Sequence, residues 1–358
     1  MSELNLPILD LSLLDQGPES AARFRDELRT ATRDVGFFYL TGTGISPDLE
    51  ARLLRAAKDF FALPEAEKLA IENVTSPHFR GYTRVGGELT QGRVDWREQI
   101  DIGPEREAIW APTPGGSPRR DSDAGSGRRD DPDGPGYNRL VGPNLWPAAQ
   151  PELQDVVGEW HDHLTGIARK LLRAWALSLG AEEEYFDRHF GDPQTLIKIV
   201  RYPGKDDPTP QQGVGAHKDS GFLTLLWVEP GKGGLQVLRD GEWVDAPPVP
   251  GAFVVNIGEL LEYATQGYLT ATNHRVISPK FPDERISVPF FFNPALDAVL
   301  PIIDLPAEFA AEARGVSQDP ANPIHATYGE NALKSRLRAH PDVAERWHPD
   351  LVAARAAS

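Results

Sequence analysis

His217-Lys218-Asp219-Ser220-Gly221-Phe222-Leu223-Thr224-Leu225-Leu226-Trp227-Val228 joins two ligand-type side chains to a short apolar run. The run from Phe222 to Val228 has the length and the residue types of a buried strand. In an extended segment alternate side chains share a face, so His217 and Asp219 point one way and Lys218 the other. A third donor, His274, lies well downstream, as suits a distant strand of the same sheet or barrel, and is followed by Arg285-Ile286-Ser287. Two imidazoles and one carboxylate can hold one face of a divalent iron and leave the other open to substrate and oxygen. Structural zinc would take four ligands, usually thiolates, and this chain has no cysteine. Alternation also turns Arg285 and Ser287 inward together. A guanidinium facing a cavity is costly unless an anion answers it, and its planar fork suits a carboxylate, to which Ser287 adds a hydroxyl donor. A small carboxylate-bearing ligand is implied.

Outward from this stretch, strands crowd together: Thr195 to Tyr202, Phe222 to Val228, Gly234 to Leu238, Glu242 to Asp245, Ala252 to Ile257, Thr272 to Val276 and Ile286 to Phe292. Asp240-Gly241 is the step expected of a tight hairpin. Many short strands with Gly and Pro between them predict a sandwich or barrel of jelly-roll type whose mouth carries the ligands. The chain is therefore read as mainly β with flanking helices (α+β), a jelly-roll core preceded by an α/β region. That region begins with a strand at 7–11, a helix over about 18–34, a strand at 36–40, and a helix from the Ser46-Pro47 cap to about Phe61. Apolar residues at helical spacing predict a long helix over 152–178, and a final helix over about 328–339 packs back on the barrel. The expected units are 1–150, with a mobile loop at about 111–136 rich in Gly, Pro, Asp, Ser and Arg; a supporting helix region, 151–193; the core, 194–296; and a helical extension, 297–358. A lid over the site is the functional alternative for the loop.

The sequence supplies its own controls for these short patterns. His340-Pro341-Asp342 and His348-Pro349-Asp350 also read H-x-D, but a central proline and a polar C-terminal setting mark them as helix termini. Arg120-Asp121-Ser122 repeats R-x-S inside the loop. His161-Asp162-His163 falls within the long helix, where adjacent side chains diverge, and reads as a partly exposed face. Phe290, Phe291 and Phe292 read as core before they read as a substrate wall.

A formal net charge of −16 argues against nucleic acid and against an anionic membrane surface. No basic n-region with a long apolar run begins the chain and no stretch approaches a membrane span, so cytoplasmic residence is the expectation. The absence of cysteine excludes disulfides and thiol nucleophiles.

The placed motifs resemble the isopenicillin N synthase-like family of non-haem Fe(II), 2-oxoglutarate-dependent dioxygenases over nearly the whole length. The resemblance rests on Pro7-Ile8-Leu9-Asp10-Leu11, Gly36-Phe37-Phe38 with Gly44-Ile45, Arg80-Gly81-Tyr82 and Gly142-Pro143-Asn144-Leu145-Trp146-Pro147. In the core it rests on Arg201-Tyr202-Pro203, His217-Lys218-Asp219, Gly233-Gly234-Leu235-Gln236-Val237, Asn256-Ile257-Gly258-Glu259, His274-Arg275-Val276 and Arg285-Ile286-Ser287-Val288-Pro289-Phe290-Phe291. The family's usual Asn-His-Gly-Ile is here Gly42-Thr43-Gly44-Ile45, and its Gly-Asp is Gly258-Glu259; neither departure touches a proposed ligand.

The resemblance implies a double-stranded β-helix core, His217, Asp219 and His274 as catalytic iron ligands, and Arg285 and Ser287 on the distal carboxylate of 2-oxoglutarate. Tyr202 aligns with a tyrosine that contacts co-substrate or substrate, with packing as its other role; Asn256 aligns with a recurrent position near the barrel mouth. It also implies oxidative decarboxylation of 2-oxoglutarate to succinate and carbon dioxide, coupled to oxidation of a small molecule by dioxygen, with hydroxylation as the default and desaturation or cyclisation as variants. A monomer is expected. The competing readings are an oxidase of the same fold that needs no 2-oxoglutarate, an ethylene-forming enzyme that fragments 2-oxoglutarate, and, from another class, a metal-free jelly-roll protein that binds an anion through Arg285.

Overall fold

The computed structural model describes residues 6–110, 134–206, 212–316 and 323–356. Its strands are β1 (Ile8–Asp10), β2 (Phe37–Thr41), β3 (Gly81–Thr83), β4 (Leu89–Thr90), β5 (Arg93–Val94), β6 (Glu98–Ile102), β7 (Gln194–Pro203), β8 (Gln212–His217), β9 (Leu223–Val228), β10 (Leu235–Arg239), β11 (Glu242–Asp245), β12 (Phe253–Ile257), β13 (His274–Ile277) and β14 (Glu284–Asn293). Its helices are α1 (Pro18–Asp34), α2 (Pro47–Ala62), α3 (Glu65–Leu69), α4 (Glu152–Ser178), α5 (Glu259–Ala264), α6 (Ala307–Glu312), α7 (Tyr328–Ala339), α8 (Pro341–Trp347) and α9 (Pro349–Ala356).

Two sheets form the jelly roll. The larger runs β1-β2-β12-β9-β14-β7-β6-β3 and the smaller β11-β10-β13-β8, with β4 and β5 as a separate hairpin. Strict alternation along the strands of the large sheet builds two cores. Phe38, Leu40, Ile199, Leu225, Val255, Ile286, Val288, Phe290 and Phe292 join the cluster that also contains the buried faces of α1, α2 and α4. Their neighbours Phe37, Tyr39, Val200, Tyr202 and Val254 join Val214, Leu235, Val237 and Val276 of the small sheet in a second cluster. Trp160 and Trp175 of α4 are completely buried in the first cluster.

Local chemistry explains the element ends. Ser46 caps α2 by accepting the Leu49 amide at 3.1 Å, with Pro47 in the first turn. Asp240 and Gly241 take φ values of 51° and 83°, the doubly left-handed turn that Arg239↔Glu242 pairing requires. His340 and His348 stand at the two ends of α8, each before a proline, as expected of helix termini. Both are buried, His348 stacking between Phe79 and Trp110 at 5.2 Å from each ring.

Two features were not legible in advance. The extended segment expected at His217-Lys218-Asp219 is strand only as far as His217, which ends β8, and the strands β3 and β6, which extend the large sheet from the N-terminal part, are too short or too polar to show strand periodicity. β6 reads Glu-Gln-Ile-Asp-Ile, yet every one of its residues is buried, its carboxylates Glu98 and Asp101 being paired with cations. Of the mobile loop expected at about 111–136, with its lid alternative, residues 111–133, Arg120-Asp121-Ser122 among them, lie outside the described residues, and Gly136 already opens a short 3-10 turn, Gly136–Leu140.

Candidate iron and 2-oxoglutarate site

His217 ends β8 and His274 begins β13, and the two residues are direct register partners across that antiparallel pair. Their ring centroids lie 4.3 Å apart. Asp219 follows in the turn toward β9, with Oδ1 at 3.5 Å from Nε2 of His217 and 3.7 Å from Nε2 of His274. One donor atom from each side chain falls within 4.8 Å of the others, the only such cluster of metal-binding side chains found among the described residues. His161 instead points its Nε2 at Thr195 Oγ1, 3.1 Å away, and His163 is exposed on α4.

The surroundings orient every donor. Nδ1 of His217 lies 2.7 Å from the Gly215 carbonyl and Nδ1 of His274 lies 3.2 Å from that of Thr272, so Nδ1 carries the proton and the Nε2 lone pairs face the centre. Asp219 Oδ2 accepts from Thr224 Oγ1 and from Asn256 Nδ2, the latter at 2.7 Å, which leaves Oδ1 for a cation. Phe37 meets the His274 ring edge-on at 5.2 Å. Burial, together with the neighbouring His217, pushes the His274 imidazole down to about 4, so it is neutral and available as a ligand. Burial also opposes charge on His217, but Asp219 and the Gly215 carbonyl outweigh it and shift that imidazole upward. Against its own burial, the Asp219 carboxyl is held well below the usual range by His274, His217 and Thr224.

Two carboxylates brace the segments that carry His217, Asp219 and His274. Glu262 on α5 accepts from Lys218 Nζ at 2.9 and 3.2 Å and from the Ala271 amide at 3.1 Å, tying the His217–Asp219 turn to the approach to His274. Asp95 Oδ1 accepts from the Gly215 amide at 3.1 Å and from Gln212 Nε2 at 2.9 Å, fixing β8. Gly258 lets the turns meet: a Cβ there would sit 2.1 Å from the Gly221 carbonyl oxygen and 2.8 Å from that of Asp219.

His217, Asp219 and His274 line a cavity of about 980 Å³ whose wall also includes Arg285, Ser287 and Tyr202. Arg285 is 1% exposed, and its guanidinium lies 4.8 Å over the Tyr202 ring. Nη1 donates to Ser287 Oγ at 3.1 Å, while Nε and Nη2 are buried without a partner. Burial pulls its pKa downward. An orphaned, buried guanidinium beside a hydroxyl is a cradle for a carboxylate, and the donor set opposite suits Fe(II). On β14, Arg285, Ser287, Pro289 and Phe291 line the cavity, whereas Phe290 and Phe292 face the helices. The aromatic triplet is thus core at two positions and cavity wall at one.

Comparison with known proteins matches this geometry. Residues 6–149 match the family described as non-haem dioxygenase in morphine synthesis N-terminal, and residues 193–294 match the 2OG-Fe(II) oxygenase superfamily. A 2-oxoglutarate-dependent dioxygenase, frbJ, of Dothideomycetidae sp. (strain 11243) is 35% identical over 99% of this chain and 95% of its own length. The chain belongs to the 2OG-Fe(II) oxygenase superfamily. This oxygenase is also 33% identical to homoarginine-6-hydroxylase 2-ODD-C23.1 of Arabidopsis thaliana, over 92% of this chain and 96% of the relative. A Neurospora crassa protein, solved in complex with alpha-KG and 5-formyluracil, shares the fold with a TM-score of 0.70 at 23% identity, covering 94% of this chain and 97% of its own. The protein is a non-haem Fe(II)- and 2-oxoglutarate-dependent oxygenase that acts with dioxygen on a small molecule. Among the described residues no helix is long and apolar enough to cross a membrane.

Of the residues that matter here, sequence reading missed Thr224, Asp95 and Glu262. Their signal was weak: a threonine within an apolar strand and acids whose partners are remote in sequence.

Proposed function

We propose that His217, Asp219 and His274 hold Fe(II), that Arg285 and Ser287, over Tyr202, receive the distal carboxylate of 2-oxoglutarate, and that the enzyme hydroxylates its small-molecule substrate. The convergence of two Nε2 atoms and Asp219 Oδ1 on one point, with an unpartnered guanidinium in the same cavity, carries this reading. Iron with 2-oxoglutarate supplies the oxidant: one oxygen atom of dioxygen enters succinate as carbon dioxide leaves, and the other enters a C–H bond of the substrate as a hydroxyl. The protein residues bind and orient. Thr224 and Asn256 keep Asp219 ionised and aimed, the two backbone carbonyls fix the imidazole tautomers, and Phe37 and Phe291 limit water. A relative named as a hydroxylase supports hydroxylation over the other outcomes.

The unit boundaries we assign are 1–150, 151–193, 194–296 and 297–358. The net charge of −16 supports a monomer that binds neither nucleic acid nor anionic membranes, and we assign it to the cytoplasm.

The test is anaerobic loading with Fe(II) followed by 2-oxoglutarate and air. Wild type releases succinate, His217→Ala neither binds iron tightly nor releases succinate, and Arg285→Met binds iron but not 2-oxoglutarate. Unchanged iron binding by His217→Ala overturns the ligand assignment.

A further inference from the structure

Among the described residues, Arg285 and Arg80 are the two buried arginines of the cavity wall with no carboxylate within ion-pair distance. Arg80 stands just before β3, is 5% exposed, and packs its guanidinium flat on the chain at Gly103, where a Cβ would sit 2.2 Å from Nη2. Its side chain makes one hydrogen bond among the described residues, from Nη2 to the Leu140 carbonyl at a long 3.3 Å, and its Nε is buried without a partner.

The neighbouring cations are treated differently. Arg97 pairs with Glu88 at 2.8 Å and Asp95 at 3.3 Å, Lys198 with Glu88 at 2.7 Å, and Arg336 with Asp101 at 2.6 Å. Those pairs occupy Glu88, Asp95 and Asp101, and among the described residues they leave Arg80 with no carboxylate within ion-pair distance. The acid–base balance agrees: Glu88 and Asp95 help raise Arg97, whereas burial and the nearby Arg336 outweigh the pull of Asp101 and bring Arg80 down to about 10. A buried cation without an anion is expensive, and a fold that keeps one in a ligand cavity supplies the site for an anion that arrives with the ligand.

A second donor faces the same space. Tyr328 opens α7, is 8% exposed, lines the cavity, and lies close enough to Arg80 and Arg336 for both charges to act on its phenol. Its hydroxyl makes no hydrogen bond among the described residues. On α7 the cavity-lining positions 328, 332, 335, 336 and 339 follow helical spacing, with the exposed Arg338 at the edge of the same wall, so this helix turns one face to the cavity. Ser335 Oγ, on that face, lies 3.2 Å from Ser220 Oγ, beside the ligand Asp219. The face that carries Tyr328 therefore also reaches the metal end.

We propose that the primary substrate is a carboxylic acid whose carboxylate is received by Arg80 and Tyr328, while a C–H bond elsewhere on the molecule lies at the iron. This rests on the assignment of Arg285 to 2-oxoglutarate, which leaves Arg80 for a second anion. Arg336, already paired, adds attraction without having to exchange partners. The cavity of about 980 Å³ lies at the upper end of the usual range for ligand sites, about 300–1,000 Å³, and so has room for both acids.

The probe pair is hexanoate and hexanamide, which differ in charge but little in shape, titrated calorimetrically into oxygen-free enzyme holding Mn(II) and saturating 2-oxoglutarate. Hexanoate should bind at least tenfold more tightly than hexanamide. Arg80→Gln should erase that preference and leave the affinity for 2-oxoglutarate within twofold, and Arg80→Lys should restore part of it. Tyr328→Phe, which deletes one oxygen, should reduce the preference severalfold without lowering the melting temperature, and it keeps the test open should Arg80→Gln fail to fold. Equal affinity for acid and amide, no binding of hexanoate, or a preference that survives both Arg80→Gln and Tyr328→Phe overturns the proposal. The titration of 2-oxoglutarate into wild type is read separately. No binding there means that the assignment of Arg285 has failed, whatever hexanoate does.

Discussion

Replacing Arg285 by Met separates a binding residue from a structural one. In the ligand-free protein the guanidinium keeps one hydrogen bond, to Ser287, and a contact over Tyr202. Those contribute about 1.5–3 and about 0.5–2 kcal/mol respectively. Against them stands the cost of burying a charge whose Nε and Nη2 have no partner, several kcal/mol. The terms nearly cancel, so the ligand-free Met variant should melt at or slightly above the wild-type temperature. With 2-oxoglutarate the two proteins should part. At one hundred times its dissociation constant a ligand stabilises by about 2.7 kcal/mol. For 358 residues the entropy of unfolding is about 0.75 kcal/mol/K, so wild type should rise by about 4 °C. Removing one partner of a buried charge pair costs about 2–5 kcal/mol, or about 30-fold to several thousandfold in affinity. At the same concentration the variant should then rise by about 1 °C or less. The assay is scanning calorimetry under argon with Fe(II), with and without 2-oxoglutarate. A ligand-free variant several degrees less stable than wild type, or an undiminished rise on adding 2-oxoglutarate, would refute the reasoning.

Three further outcomes are expected. Asn256→Ala removes one of the two donors on Asp219 Oδ2 and should weaken Fe(II) binding about 10- to 100-fold in an anaerobic titration; an unchanged affinity would remove its bracing role. Glu262→Ala unties Lys218 from the Ala271 amide and should weaken iron by a similar, about tenfold, factor while Arg285 still answers 2-oxoglutarate, whereas a variant that loses only stability would show Glu262 to be a plain fold contact. Burial pushes His340 and His348 from an ordinary value near 6.5 down to about 4. Between those values the unfolded chain binds more protons, so stability rises with pH: it is full above about 6.5, and each histidine withdraws about 2 kcal/mol by pH 5. Urea unfolding at pH 8 and pH 5 measures this, and a His348→Gln variant with the same pH slope as wild type would contradict it.

Most of the architecture was legible because periodicity is a local property. The helices at Pro18–Asp34, Pro47–Ala62 and Glu152–Ser178 and the strands of the core follow apolar spacing and caps that neighbours in sequence supply. Glu98–Ile102 was not legible, because a buried strand with two carboxylates is stable only through partners such as Lys68, Lys198, Arg201 and Arg336, which come from elsewhere in the chain. The same limit hid Thr224 and Glu262. The tail motifs at His340 and His348 were assigned to helix ends on their prolines, and α8 does run between them.

The sequence by itself determined the chemistry on offer: two imidazoles and a carboxylate in the order that iron accepts, an Arg-x-Ser on one face of a strand, and no thiol to suggest another metal. Only the tertiary structure decided that His217 and His274 are register partners, that Phe291 and not Phe290 faces the cavity, and that Arg80 has no carboxylate within ion-pair distance among the described residues. The division is physical. Side-chain type and strand alternation are fixed within a few residues, whereas distance, burial and the pairing of charges depend on which remote segments the fold brings together.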